Sequence, residues 1–258
     1  MKFPDFVIIG GMKCGTTVLW HNLNKHPGIN MCKNWEDPKI ASTEIRFWNN
    51  GAPHKTWNKG IDWYKGLFIG DCCGEKSANY IEEPMTMKRM AKHMPDVKLV
   101  LNVRNPVDRA YSEYQMHHRK LSKPFDMSLA RQRGYLCRGS YYLQIMNSVM
   151  KFFPKKSLYI VIQERMKEDT NRELNKLCDF LGVEHHDMVV KETTSEVATN
   201  RTLDLNEDGK IKNYKVWSSK YEPMSSEIRN DLLQYYKKHN EKLFGFLRYK
   251  IEEWEENK

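Results

Sequence analysis

Eight residues near the start of the chain, Gly10-Gly11-Met12-Lys13-Cys14-Gly15-Thr16-Thr17, have the make-up of an anion cradle. They follow a short apolar run at 6–9 (FVII) and precede a stretch with helical spacing at 16–25. A glycine-rich turn between strand and helix aims successive backbone N–H groups at one point, where the helix dipole adds partial positive charge. Thr16 and Thr17 contribute hydroxyl donors. The glycine spacing is that of the nucleoside-triphosphate loop G-x-x-x-x-G-K-[ST]. The lysine is not: Thr16 fills its slot, and Lys13 lies inside the loop. No expected strand ends in an acidic residue able to hold magnesium, and Glu164 only follows one. A P-loop kinase or NTPase is therefore the weaker reading of this loop.

A second anion device is Arg104-Asn105-Pro106-Val107-Asp108-Arg109-Ala110-Tyr111-Ser112, at the end of an apolar run and entering a helix. An arginine and a helical serine can fork onto one phosphate through charge-assisted hydrogen bonds. Arg109 either shares this work or pairs with an acidic neighbour.

These devices need elements to hold them. Apolar runs at 6–9, 98–104 (KLVLNVR) and 157–163 (SLYIVIQ) predict buried parallel strands. Helical spacing predicts helices at 85–93, 107–119, 171–181 and 225–247, with Pro106 in a first turn and Gly182 closing the third. Strands alternating with helices predict an α/β fold: one domain over 1–258, a central parallel sheet flanked by helices, with a P-loop-like first turn. Segments 33–75 and 190–222 lack periodicity and read as substrate-facing loops.

The 258 residues include 40% hydrophobic and 12% aromatic positions, which excludes a disordered chain. A net charge of +9 favours anionic partners, but its basic residues form no recognisable nucleic-acid-reading module. Cys14, Cys32, Cys72, Cys73, Cys137 and Cys178 contain no C-x-x-C pair, so zinc is not expected, and adjacent Cys72 and Cys73 suit thiols better than a disulfide. Reduced thiols, with no leader or membrane-length apolar run read at the start of the chain, predict a cytoplasmic protein without stable membrane insertion. Asp204–Gly209 imitates half a calcium loop, but Lys215 stands where a bidentate glutamate belongs. His117-His118 and His185-His186 are side-by-side pairs that cannot face one metal from a regular helix.

With both anion devices in order, the sequence resembles the PAPS-dependent sulfotransferase family, in which G-x-x-K-x-G-T-[ST] takes the 5′-phosphosulfate and R-[DN]-P-x-[DE]-R-x-x-S takes the 3′-phosphate. The resemblance implies the P-loop-like sulfotransferase fold and 3′-phosphoadenosine 5′-phosphosulfate (PAPS) as donor, with PAP as product and no metal. It places Lys13, Cys14, Gly15, Thr16 and Thr17 at the phosphosulfate, and Arg104 and Ser112 at the 3′-phosphate. Further segments are similar to the heparan sulfate N- and 3-O-sulfotransferases and bacterial relatives. Thr43-Glu44-Ile45-Arg46-Phe47-Trp48 looks like E-x-H-F-[FW], and Gly74-Glu75-Lys76-Ser77-Ala78-Asn79-Tyr80 looks like E-K-[ST]-P-x-Y with Ala78 in place of the proline. Arg138-Gly139-Ser140-Tyr141-Tyr142-Leu143-Gln144 matches a nucleotide-covering R-G-x-Y-x-x-Q.

By that resemblance Glu44 is the base that takes the acceptor proton, Lys13 and Lys76 stabilise the leaving oxygen, and Tyr141 and Lys212 cover the nucleotide. Arg46 replaces the family's histidine and either meets an anionic acceptor or anchors Glu44. Trp48 is a candidate to stack on an acceptor, against the default of core packing for it and for Trp35, Trp57 and Trp63. Glu75 is a second acid/base candidate or an ion-pair partner of Lys76. Lys210, Lys212, Lys215 and Lys220 either cover the donor or form a solvated loop. The expected partner is a small-molecule or glycan acceptor bearing a hydroxyl or amine, not nucleic acid; oligomeric state is not written in the sequence.

Overall fold

A computed structural model describes residues 1–32, 43–49, 56–121, 124–187, 203–205, 211–214 and 222–255. Five parallel strands form the central sheet: β1 (Phe6–Gly10), β2 (Ile29–Met31), β3 (Cys72–Lys76), β4 (Lys98–Val103) and β5 (Leu158–Ile162), in the order β2-β3-β1-β4-β5. All five residues of β1 are buried, as an unbroken apolar strand covered on both faces must be. Helix α1 (Thr16–Leu23) carries the chain from β1 toward one edge, while α4 (Pro106–Leu121) and the short helices α5 (Met127–Gln132), α6 (Tyr135–Gly139) and α7 (Tyr141–Gln144) carry the chain from β4 toward the other. This divergence opens a crevice at the carboxyl ends of β1 and β4, where open α/β sheets bind ligands. Both anion devices lie there.

The expected strands and helices are present to within a residue or two, including α3 (Pro84–His93), α9 (Thr170–Leu181) and α10 (Ser226–Leu247). Leu19, Leu23, Leu174, Leu177 and Leu181 of α1 and α9 cover one face with Phe6, Ile8 and Val161. On the other face Val7, Ile9, Leu99 and Leu101 pack with Met87 and Met90 of α3 and an aromatic group around Phe47, Trp48 and Tyr64. Asp169 caps α9 through the Arg172 N–H, and Gly182 closes it.

The reading of 33–75 as loop is corrected. It holds helix α2 (Gly60–Lys65) and β3, which is an interior strand between β2 and β1. CCGEK has no apolar run to betray it. Its burial comes from its place in the sheet: Gly74 sits opposite Phe6, whose ring occupies the space a Cβ would need. Within 190–222, the described residues are an antiparallel pair, Leu203–Leu205 with Ile211–Tyr214. Trp35, Lys210, Lys215, Lys220 and most of the calcium-like 204–209 stretch lie outside the described residues, and of Lys212 only its place in the second of these strands is described.

Candidate active site

The loop after β1 turns through left-handed backbone at Lys13 (φ 66°) and Gly15 (φ 80°) and enters α1 at Thr16. Gly15 permits both that angle and the close approach of the Gln163 side-chain amide, which fills the position of its missing Cβ. The Gly11 N–H is fixed on the Asn102 carbonyl at 2.8 Å. The Lys13 ammonium has only the Met116 sulfur nearby, at 3.8 Å, and no carboxylate pairs with it among the described residues. Cys14 is buried, and burial pushes its thiol up to about 11. Its thiol is thus not presented to the crevice.

Across the crevice, the Arg104 guanidinium and the Ser112 hydroxyl make no hydrogen bond or ion pair among the described residues, although Ser112 is only 6% exposed. A nearly buried hydroxyl beside an uncommitted guanidinium is an arrangement awaiting an anion. Lys167, on α8 (Gln163–Glu168), belongs to the same cluster: burial and the nearby Arg104 hold its ammonium below the usual lysine value. No motif points to Lys167; its only sequence signal is a position in the first helix after β5. Arg109 is structural, fully buried against Glu113 at 2.8 Å, and Glu113 in turn meets Arg138 at 2.7 Å.

Tyr141, expected over the nucleotide, lies beneath both devices, 1% exposed. Its hydroxyl donates to the Arg104 carbonyl at 2.8 Å, accepts from the Arg104 N–H at 3.2 Å, and lies 3.3 Å from the Cys14 sulfur.

On the acceptor side, the segment at 43–49 runs beside β3, with Glu44 bridged in parallel to Lys76. The Lys76 ammonium is 3.2 Å from Glu44 Oε1 and donates to Thr17 Oγ1 at 3.1 Å. Arg46, in left-handed backbone (φ 53°), folds back so that Nε and Nη2 both donate to Glu44 Oε2, at 2.8 and 2.7 Å. Burial pushes the Glu44 carboxyl up, but Lys76 and Arg46 outweigh it and hold the group below its ordinary value. Glu44, Lys76, Thr17 and the phosphate loop thus form one continuous constellation.

Two expected acceptor contacts fail. Trp48 is fully buried against Phe47, Trp57 and Tyr64, so core packing is its role. Glu75 is also fully buried, and its carboxylate goes to Tyr64 (2.5 Å) and Tyr80 (3.2 Å) rather than to Lys76. Adjacent strand residues face opposite sides of a sheet, which separates Glu75 from Lys76.

The family model for the sulfotransferase domain matches residues 3–243. The chain belongs to the sulfotransferase family. It is 31% identical to human bifunctional heparan sulfate N-deacetylase/N-sulfotransferase 3 and 32% identical to mouse bifunctional heparan sulfate N-deacetylase/N-sulfotransferase 4. Each alignment takes in 95% of this sulfotransferase chain but 30% of the relative's length. In fold it matches a sulfotransferase from Alicyclobacillus acidocaldarius with a TM-score of 0.68 at 22% identity, covering 98% of this chain and 99% of the other.

Proposed function

We propose that this sulfotransferase moves a sulfuryl group from PAPS to a hydroxyl or amine of a glycan or small molecule, with Glu44 as base. The observation that carries the reading is the Lys76 ammonium shared between Thr17 of the phosphate loop and Glu44. It joins an anion site and a carboxylate in a single reaction centre. Bound there, PAPS supplies an activated sulfuryl group on a nucleotide leaving group. Lys13, Gly15, Thr16 and Thr17 would hold its phosphosulfate end. Arg104, Ser112 and Lys167 would hold the 3′-phosphate, which fits the uncommitted polar groups of the first two.

The reaction is a displacement at sulfur, in which the acceptor loses a proton as its bond to sulfur forms. Glu44 accepts that proton. It is ionised at neutral pH because two cations hold it so, and it needs no further activation. Lys13 and Lys76 meet the negative charge that develops on the leaving side, where a positioned cation acts without reorganising. Arg46 orients Glu44, and its partial exposure leaves it able to meet an anionic acceptor. The likeness to relatives named for heparan sulfate supports a glycan acceptor. Six free thiols support a reducing, cytoplasmic setting as part of the same proposal.

A nucleotide-kinase reading is disfavoured by the fate of Glu164, the carboxylate that follows β5. Its oxygens accept from the Asn105 N–H at 2.9 Å and the Trp254 indole at 3.0 Å. Thermal shift should show stabilisation by adenosine 3′,5′-bisphosphate and none by ATP with magnesium. With labelled PAPS and pooled acceptors, Glu44→Gln should keep affinity for the bisphosphate and lose at least about 100-fold in turnover. Undiminished turnover in that variant would remove Glu44 from the mechanism.

A further inference from the structure

The backbone of the segment carrying Glu44 is held by hydroxyl groups. The Arg46 N–H donates to Ser77 Oγ at 2.8 Å, and the Trp48 N–H donates to the Tyr80 hydroxyl at 3.4 Å. The Tyr80 hydroxyl leads in turn to a buried group, donating to the Glu75 carboxyl at 3.2 Å. Tyr64 of α2 closes the third side. Ser77, Tyr80 and Glu75 are all fully buried, so none of these bonds is exchanged for water.

We infer that Glu75 is a positioning residue for the reaction: through Tyr80 and the Trp48 N–H it holds the segment whose left-handed turn at Arg46 lays the guanidinium on Glu44. The inference rests on the reading of Glu44 as base, although the geometry stands without it. A non-glycine residue in left-handed backbone persists only when its surroundings impose it. Here the imposing contacts are the Arg46 N–H bond to Ser77 and, two residues on, the Trp48 N–H bond to Tyr80, whose own proton is directed to the Glu75 carboxyl. Lys76, between Glu75 and Ser77 in sequence, reaches Glu44 directly from the opposite side of the strand. The stretch 75–77 therefore acts on the base twice, once by charge and once by backbone placement.

Two variants test this. Tyr80→Phe removes the hydroxyl that joins the Trp48 N–H to Glu75. Glu75→Leu keeps the volume but leaves the Tyr64 and Tyr80 hydroxyls without their acceptor. Titratable groups facing Glu75 are Tyr64, Tyr80, Cys32 and Glu44. Glu75 is already protonated where Glu44 titrates, so the leucine removes no charge in that range.

The side-chain carboxyls of the full chain should be titrated by carbon-13 NMR without donor or acceptor. Freed from Arg46, the Glu44 titration should move upward by about one pH unit in both variants. In turnover assays the acid limb of kcat should move to higher pH with it, kcat should fall roughly tenfold, and the KM for PAPS should stay unchanged. Folded variants whose Glu44 titrates as in the parent overturn the inference, and if Glu75→Leu does not fold, Tyr80→Phe decides alone. Full turnover in Glu44→Gln would instead overturn the base assignment and leave the NMR result standing.

Discussion

Among the described residues the side chains of Arg104 and Ser112 are committed to no partner, so their cost of desolvation is recovered only when an anion arrives. Arg104→Ala should weaken adenosine 3′,5′-bisphosphate binding by about 1.5–3 kcal/mol, roughly 10- to 100-fold, the range for a lost hydrogen bond to a charged group. Adenosine 5′-phosphosulfate, which has no 3′-phosphate, should lose far less, and calorimetry on the two ligands compares them directly. Glu75 makes a different kind of statement. Burial raises its carboxyl from an ordinary value of 4.5 to about 8, against the opposing bonds from Tyr64, Tyr80 and Ser77. Between those values the folded protein keeps a proton that the unfolded chain releases. Stability should therefore fall with rising pH by up to about 1.4 kcal/mol per unit in that window and level off above it. Denaturant unfolding of the parent and of Glu75→Gln at several pH values reads this contribution, which the amide should abolish.

At the scale of elements, strands β1, β4 and β5 and helices α3, α4, α9 and α10 were legible because each has a hydrophobic pattern of the right period. Strand β3 was not. Its CCGEK sequence carries two charges, and its burial depends on Phe6 lying over Gly74, a partner nearly seventy positions away that no local pattern announces. The misplacement of Glu75 follows from that omission, since strand parity would have set it on the face opposite Lys76. Trp48 was misread for a related reason: its neighbours Tyr64 and His93 come from later elements. The phosphate loop was the opposite case, a contiguous motif readable in full. Its weak point is Gly15, where Gly15→Ala imposes a left-handed angle on a side chain and drives a methyl into Gln163. A fall in Tm of about 5 °C is expected, with part of it restored by Gln163→Ala.

For the whole molecule, a net charge of +9 on 258 residues draws anions toward the crevice at the carboxyl ends of β1 and β4. Donor affinity should drop roughly tenfold between about 0.05 M and about 0.5 M salt, as the screening length shrinks. A titration insensitive to salt would place the attraction in close contacts alone. The phenol of Tyr141 has a larger consequence than its single hydroxyl suggests. Because it touches both the Cys14 turn and the backbone of Arg104, it sets the span between the two anion grips like the pivot of a caliper. With the proposed donor, nucleotides would then be sorted by the separation of their charged ends, a measurement made beneath the crevice by a buried side chain.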